Sequence, residues 1–442
     1  MEGGTTTLGP VEVPLSISPT AGGPATIDDA SVLRNRDFRN LYIAGVASAA
    51  GASIAIVSIS WIVYESTGSA IDITYVGLAG VVPAIALGLV AGALADRYNR
   101  RRVMVLSDVS RAVLMGGLAL FLYLVGFDLL VVLGVVLIVN CFSALFLPAS
   151  NALLPRLVRT SQLESANGLL QASTQGAQML GAAAGGAAIA LSGVVPGLAF
   201  NALTYVISAT FVLQIAATFG HTGGSAAAPR AARSLGTDIR EGLAYMRSNL
   251  AIFEVTLGFL PGNLLWVMVT NFTVVYVAEY FHGSAGAYGV LVAAIGGGFA
   301  AGALVASRAR LVRHAGTVMA LTVASQGALV LGLALSHDYA ISLTCAALLG
   351  AGAGMINVIY FATVQAIVPD RVLGRVLSVD LVGSLAGVPA GLILGGLLAT
   401  EYGIGINYAI AGLGLLANGL LMLSLKDLRG LHYRREEAQP AP

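Results

Sequence analysis

Asp96 and the arginines behind it, Arg97, Arg100, Arg101 and Arg102, place five ionisable side chains in seven positions of a chain that is otherwise poor in charge. A carboxylate among guanidiniums makes and breaks strong, charge-assisted contacts, which is the chemistry of a latch rather than of bond cleavage. Asp108 and Arg111, three residues apart on one helical face, form the next such pair, suited to structural pairing or to the latch network. The remaining polar groups of interest are neutral. Asn167, Gln171, Thr174, Gln175 and Gln178 recur every three or four residues, Asn263, Trp266 and Thr270 share a face, and Asn357, Phe361 and Gln365 lie near another. Amides at this spacing either bridge helices or line a cavity that binds a weakly charged ligand. Enzyme chemistry is hard to assemble from these parts. The single lysine is Lys426, and no phosphate-binding loop, nucleophile elbow, zinc motif or cysteine cluster occurs, so neither metal nor cofactor is expected. Cys141 and Cys345 suggest no disulfide framework.

The elements that carry these residues are set by composition. With 57% hydrophobic residues, 10% charged residues and a mean hydropathy of +0.85, the 442-residue chain is too apolar for a soluble globule. A membrane-crossing helix takes roughly 20 apolar residues. Twelve such runs are predicted, six between residues 41 and 217 and six between 252 and 424. The alternate loops sort by charge. One set carries Arg34 to Arg39, Arg97 to Arg102, Arg156, Arg159, Arg230 to Arg247, Arg308 to Arg313, Arg371, Arg375 and Lys426 to Arg435. The other carries Glu65, Asp72, Asp128, Glu279, His282, His337, Asp338 and Glu401, without lysine or arginine. The positive-inside rule puts both termini in the cytoplasm. The expected organisation is a disordered tail over 1–30, a six-helix bundle over 31–217, a linker with an amphipathic helix over 218–250, a second bundle over 251–425 and a tail over 426–442. The charge is segregated and nets +1, which implies a lipid bilayer and no nucleic-acid partner.

The two bundles repeat. Gly92-Ala-Leu-Ala-Asp-Arg97 aligns with Gly302-Ala-Leu-Val-Ala-Ser-Arg308, and Gly181-Ala-Ala-Ala-Gly185-Gly186 with Gly391-Leu-Ile-Leu-Gly395-Gly396, both at an offset of 210 residues. Parallel six-helix repeats are an arrangement used by membrane transporters. The loop from Gly92 to Arg102 resembles the signature that major facilitator transporters carry between their second and third helices. Asp37-Phe-Arg-Asn-Leu-Tyr42, Ser107-Asp-Val-Ser-Arg111, Leu154-Pro-Arg-Leu-Val158 and Val368-Pro-Asp-Arg-Val-Leu-Gly-Arg375 extend the likeness to the bacterial drug and siderophore exporter branch, which includes enterobactin and macrolide efflux proteins.

That resemblance implies an all-α integral membrane fold of twelve helices in two six-helix repeats. It further implies efflux of a hydrophobic or amphipathic small molecule by alternating access, coupled to protons, from a monomer in the bacterial cytoplasmic membrane. Import of a small nutrient by the same fold is the alternative. The resemblance assigns a gate to Gly92, Asp96 and Arg97, supported by Arg101, Asp108, Arg111 and Asp380. The cavity is expected from Gln171, Gln175, Gln178, Asn263, Trp266, Asn357 and Phe361. Asp380 and Glu254 lie about a turn inside their helices, as partners for Arg375 or Arg97 or as titrating groups. Two departures bear on coupling: Gly51-Ala52 stands where many relatives have Gly-Asp, and Ala182 where the drug antiporter signature has proline. Glycines four apart, such as Gly88 and Gly92, Gly181 and Gly185, Gly298 and Gly302, and Gly383 to Gly395, suit either a sliding seam between the halves or static close packing.

Overall fold

The computed structural model of the chain describes residues 13–14, 32–216, 240, 243–247, 249–308, 314–429 and 433–434. The first half is built of α1 (Arg36–Thr67), α2 (Ala70–Arg97), α3 (Arg100–Leu124), α4 (Leu129–Leu157), α5 (Leu163–Ser192) and α6 (Val194–Leu213). The second is built of α7 (Leu250–Thr270), α8 (Thr273–Phe281), α9 (Ala285–Arg308), α10 (Ala315–Leu335), α11 (Tyr339–Ile367), α12 (Asp370–Tyr402) and α13 (Ile404–Ser424), closed by the short α14 (Lys426–Arg429). Val13–Pro14 pairs in parallel with Tyr433–Arg434. The rest of the tail over 1–30 lies outside the described residues, except for those two.

Helix ends follow local chemistry. The Asn35 side chain accepts from the amides of Asp37 and Phe38 to start α1, and Gly68, at φ 62°, ends it in the left-handed region that glycine adopts without strain. Asp128 caps α4 and Asp338 caps α11, two helices of 29 residues whose caps are 210 residues apart. The helix corners at Gly193 (φ 82°) and Gly403 (φ 83°) keep the same offset. The duplication read from the glycine motifs therefore extends to caps and corners.

Ten described helices are long and apolar enough to cross a membrane. Two more complete the twelve spans. The 30-residue α5 carries the amide stripe that lowers its hydropathy, and the 33-residue α12 has its apolar stretch concentrated in Ala386–Tyr402. The seventh span differs from the single expected helix, since it breaks between Thr270 and Thr273 into α7 and α8. The Thr270 hydroxyl bonds back to the Trp266 carbonyl (3.1 Å), and the Thr273 hydroxyl to those of Val269 and Thr270 (3.1 Å each). Such hydroxyls compete with the backbone ladder where a helix breaks. Of the expected amphipathic helix, residues 243–247 are helical, with Met246 buried and Leu243 and Arg247 exposed; Leu235 and Ile239 lie outside the described residues.

The halves pack alike. Within the first, α1 lies against α5 and α6, α3 against α4 and α6, and α2 against α4; α7, α12, α13, α10, α11 and α9 repeat these neighbours in the second. Between lipid-facing helices there is little hydrophobic gain from burial, so close packing and hydrogen bonds carry cohesion. Asn407 Nδ2 donates to the Met268 carbonyl (2.9 Å), the Tyr408 hydroxyl to that of Val269 (3.0 Å) and Asn418 Nδ2 to that of Gly258 (2.8 Å), tying α13 to α7. Large apolar side chains such as Leu120, Tyr123, Leu130 and Leu191 face outward, as lipid contact permits.

The glycine stripes settle inside the halves. A Cβ on Gly181 or Gly185 would run into the α1 backbone at Ala50 or Ile54. Gly298 and Gly302 sit against the α11 backbone at Ala347 and Ala351, and Gly391 against α7 at Leu264. Close packing within a half is what these positions serve in this structure, whereas Gly88 meets open space and Gly92 lies outside the described side chains. The contact between halves, α2 with α12 and α5 with α9, uses other glycines. Gly186 and Gly289 cross so closely that a Cβ on either would overlap the other's backbone. Gly77 and Gly396 admit Leu392 and Thr74.

Candidate cavity and gates

A cavity of about 580 Å³ opens between α7, α9, α10, α11 and α13. Its wall includes Asn263, Trp266, Asn357 and Phe361, which the sequence placed on separate helices. Four further side chains that sequence reasoning did not single out, Phe259, Phe299, Gln326 and Tyr360, complete the aromatic and amide lining. Phe259 stands one turn before Asn263 and Tyr360 one turn after Asn357, so helical spacing alone carried part of that signal. Phe259 meets Tyr360 edge to face with centroids 4.7 Å apart, and Gln326 Nε2 donates to the Leu349 carbonyl (3.3 Å). Among the described residues the lining has no charged side chain.

Gln171, Gln175 and Gln178 do not line this cavity; they are exposed on α5. Leu180 and Leu191, 74% and 88% exposed, mark the lipid face of that helix. At ~100° per residue, the glutamines project on the opposite side, between the face that packs on α1 through Gly181 and Gly185 and the face that meets α9 through Gly186. They therefore face the space between the halves.

The halves are joined at one end. The Tyr64 hydroxyl of α1 donates to Glu279 Oε1 of α8 (3.2 Å), whose Oε2 accepts from the Ile404 amide at the start of α13 (3.4 Å). Trp61 stacks with Tyr288 at 6.4 Å, and the Thr74 hydroxyl donates to the Leu392 carbonyl (3.1 Å). Met179 packs against Gly296 near the middle of both helices. These joints all lie between mid-span and the acidic loops. Toward the arginine loops, Val82, Ile85, Asn167, Gln171 and Gln175 are exposed. Among the described contacts, the halves meet between mid-span and the acidic loops, and these five side chains toward the basic loops are exposed.

At that basic end, the side chains of Gly92, Asp96 and Asp380 lie outside the described residues, and Arg97 is exposed where α2 ends. Arg101 is engaged inside its own half. Its Nε donates to the Val212 carbonyl (3.3 Å) and its terminal nitrogen to that of Leu213, at the carbonyl end of α6 where a cation is favoured. Asp37 accepts from the Ala216 amide (2.9 Å), and Asn35 donates to the Leu157 carbonyl. Glu254 behaves as the second-half counterpart of Asp37. It accepts from the Leu428 amide (2.8 Å), fastening α14 to α7, and the side chain of its expected partner Arg375 lies outside the described residues.

Asp108 and Arg111 are buried and paired with each other between α3, α4 and α6. Ser208 donates to the second carboxylate oxygen (2.7 Å), and the Arg111 guanidinium lies 4.6 Å from the Phe146 ring centroid and 4.5 Å from that of Tyr205. Nε donates to the Ser107 carbonyl (3.3 Å) and a terminal nitrogen to the Ser143 hydroxyl (3.4 Å). In this arrangement the pair is spent within the first half. Among the described residues no group of histidine, cysteine and carboxylate side chains could hold a metal ion.

The family model described as Transmembrane secretion effector matches residues 28–437. The chain is 27% identical over 399 residues to a multidrug efflux pump, Tap, of Mycobacterium tuberculosis, covering 88% of this chain and 94% of that one. It is 22% identical over 411 residues to macrolide efflux protein A of Streptococcus pyogenes, covering 90% and 98%. Among solved structures, the nucleoside transporter NupG matches with a TM-score of 0.64 at 12% identity, covering 88% of this chain and 98% of that chain. A bacterial homologue of the human lysosomal transporter Spinster, in an inward-facing and unoccupied conformation, matches with a TM-score of 0.61 at 13% identity, covering 92% and 97%. These two likenesses concern the fold.

Proposed function

Because this chain belongs to the Transmembrane secretion effector family of major facilitator efflux transporters, we propose that it expels bulky, amphipathic, weakly charged small molecules by alternating access. The observation that carries this reading is a cavity walled by five aromatic rings and three amides, without a charged side chain, beneath halves joined only toward the acidic loops among the described contacts. Desolvating an ion there without a partner costs several kcal/mol, whereas an apolar body with a few hydrogen-bonding groups fits. The glutamines Gln171, Gln175 and Gln178 form the opposite wall, and Asn263, Trp266, Asn357 and Phe361 the nearer one.

The cycle has two gates. On the acidic side, Tyr64, Glu279, Trp61, Tyr288 and the Gly186–Gly289 crossing separate when the outward-open state forms. On the basic side, Gly92, Asp96, Arg97 and Asp380 then come together as the latch, while Arg101, Asp108 and Arg111 hold the helices that bear it. The segregated arginines put the basic side and both termini in the cytoplasm of a bacterial inner-membrane protein. Protons supply the drive to a monomeric transporter. Asp108 is fully engaged with Arg111 and Ser208, whereas among the described carboxylates Glu279 accepts a hydrogen bond from each half. The reading is tested by comparing a deletion strain with its complemented parent for retention of antibiotics and dyes. Lower retention in the complemented strain supports export, and starvation of the deletion strain without altered retention contradicts it.

A further inference from the structure

The internal repeat makes one place in each half comparable. The matched caps Asp128 and Asp338 bring Ser143 and Phe146 into correspondence with Ala353 and Ile356, and the matched corners Gly193 and Gly403 bring Tyr205 to Leu415. Gly116 faces Ala202 as Gly327 meets the α13 backbone at Gly412 and Leu416, which on this helix gives an offset of 211 and pairs Arg111 with Thr322. In the first half the Arg111 guanidinium fills the space between α3, α4 and α6, against Ser143, Phe146 and Tyr205. In the second half the counterparts of those three neighbours, Ala353, Ile356 and Leu415, are walls of the 580 Å³ cavity. Thr322, which stands where Arg111 stands, is too short to cross it and bonds back to the Val318 carbonyl (2.7 Å). The cavity is the place that an internal cation occupies in one half and vacates in the other.

What that place accepts follows from its wall. In the first half it holds a planar, delocalised cation between two rings, an arrangement favoured when water is excluded. The second-half wall offers more ring surface than the first, with amides at hydrogen-bonding positions and no cation to receive an anion. We propose that the recess inside the second half binds the planar aromatic end of the exported molecule, either neutral or carrying a delocalised positive charge, and so sets which substrates are accepted. The proposal rests on the reading of the chain as an exporter of amphipathic compounds.

Ethidium, a planar aromatic cation, is the probe, used with purified full-length protein. Filling the recess from opposite walls with Ala353→Phe and, separately, Val323→Phe is expected to weaken ethidium binding at least 10-fold. Ser143→Ala, the matching position in the first half, is expected to change it less than 2-fold. A milder variant covers the case in which filling disturbs folding: with Cys141 and Cys345 replaced by serine, Ala353→Cys is expected to react with a maleimide at least 10-fold more slowly when ethidium is bound. Ethidium affinity unchanged in both filled variants, equal alkylation with and without ethidium, or a wild-type protein that does not bind ethidium would each overturn the recess. Failure of the exporter reading looks different, because wild-type protein then binds ethidium with the expected sensitivity and moves none of it across a membrane.

Discussion

Arg111 is a cation held away from solvent by a carboxylate, two aromatic rings and two oxygens of its own half. Removing one partner of a buried ion pair strands the other, at a cost of about 3–5 kcal/mol. Arg111→Leu is therefore expected to lower the thermal unfolding midpoint in detergent clearly, while Arg97→Leu, at an exposed helix end, leaves it near wild type. Asp96→Asn is expected to insert normally and to export poorly at equal expression; undiminished export would remove the basic-side latch. The sequence displayed the Asp108–Arg111 spacing. It did not display the rings around the guanidinium, because Phe146 and Tyr205 come from helices whose packing on α3 no local pattern specifies. The cavity residues show the same division, with Asn263, Trp266, Asn357 and Phe361 visible from helical spacing, and Phe299 and Gln326 delivered by neighbouring helices.

At the level of helices, small residues announce close approach without naming the partner. Gly298 and Gly302, whose spacing suits either a seam or static packing, admit α11, whereas Gly289 admits Gly186 across the seam. The two classes predict different phenotypes. Gly289→Val is expected to hold the acidic end apart, raising the alkylation rate of a cysteine placed at Ser60 and reducing export, with little loss of stability. Gly302→Val is expected to disturb the packing of α9 on α11 and to lower protein yield instead. Glu279→Gln keeps its shape but loses the charge that strengthens two hydrogen bonds. At about 0.5–1.5 kcal/mol for such contacts, the acidic-side closure should weaken by about 2- to 10-fold, read as the same cysteine's alkylation rate. Caps and corners are legible once the repeat is known, since Asp128 and Asp338, and Gly193 and Gly403, stand at its 210-residue offset. The break at Asn271 was not, because threonines that bond back to the helix are common in unbroken spans as well.

The whole molecule is a near-symmetric frame with an asymmetric interior. Both halves repeat the same helix neighbours, yet one closes its core around an ion pair and the other leaves a recess lined by rings and amides. In the proposed cycle, the described contacts toward the acidic end and the exposed amide stripe toward the basic end correspond to the state that loads substrate from the arginine-rich side. The measurement that tests this most directly is transport of an amphipathic aromatic dye in lipid vesicles of known protein orientation under an imposed pH gradient. Dye is expected to move from the basic to the acidic side, with movement abolished when the pH gradient is collapsed at fixed membrane potential and reduced at least 10-fold by Trp266→Ala combined with Asn357→Ala. Dye movement in the opposite direction, or transport indifferent to both the gradient and the cavity substitutions, would contradict it.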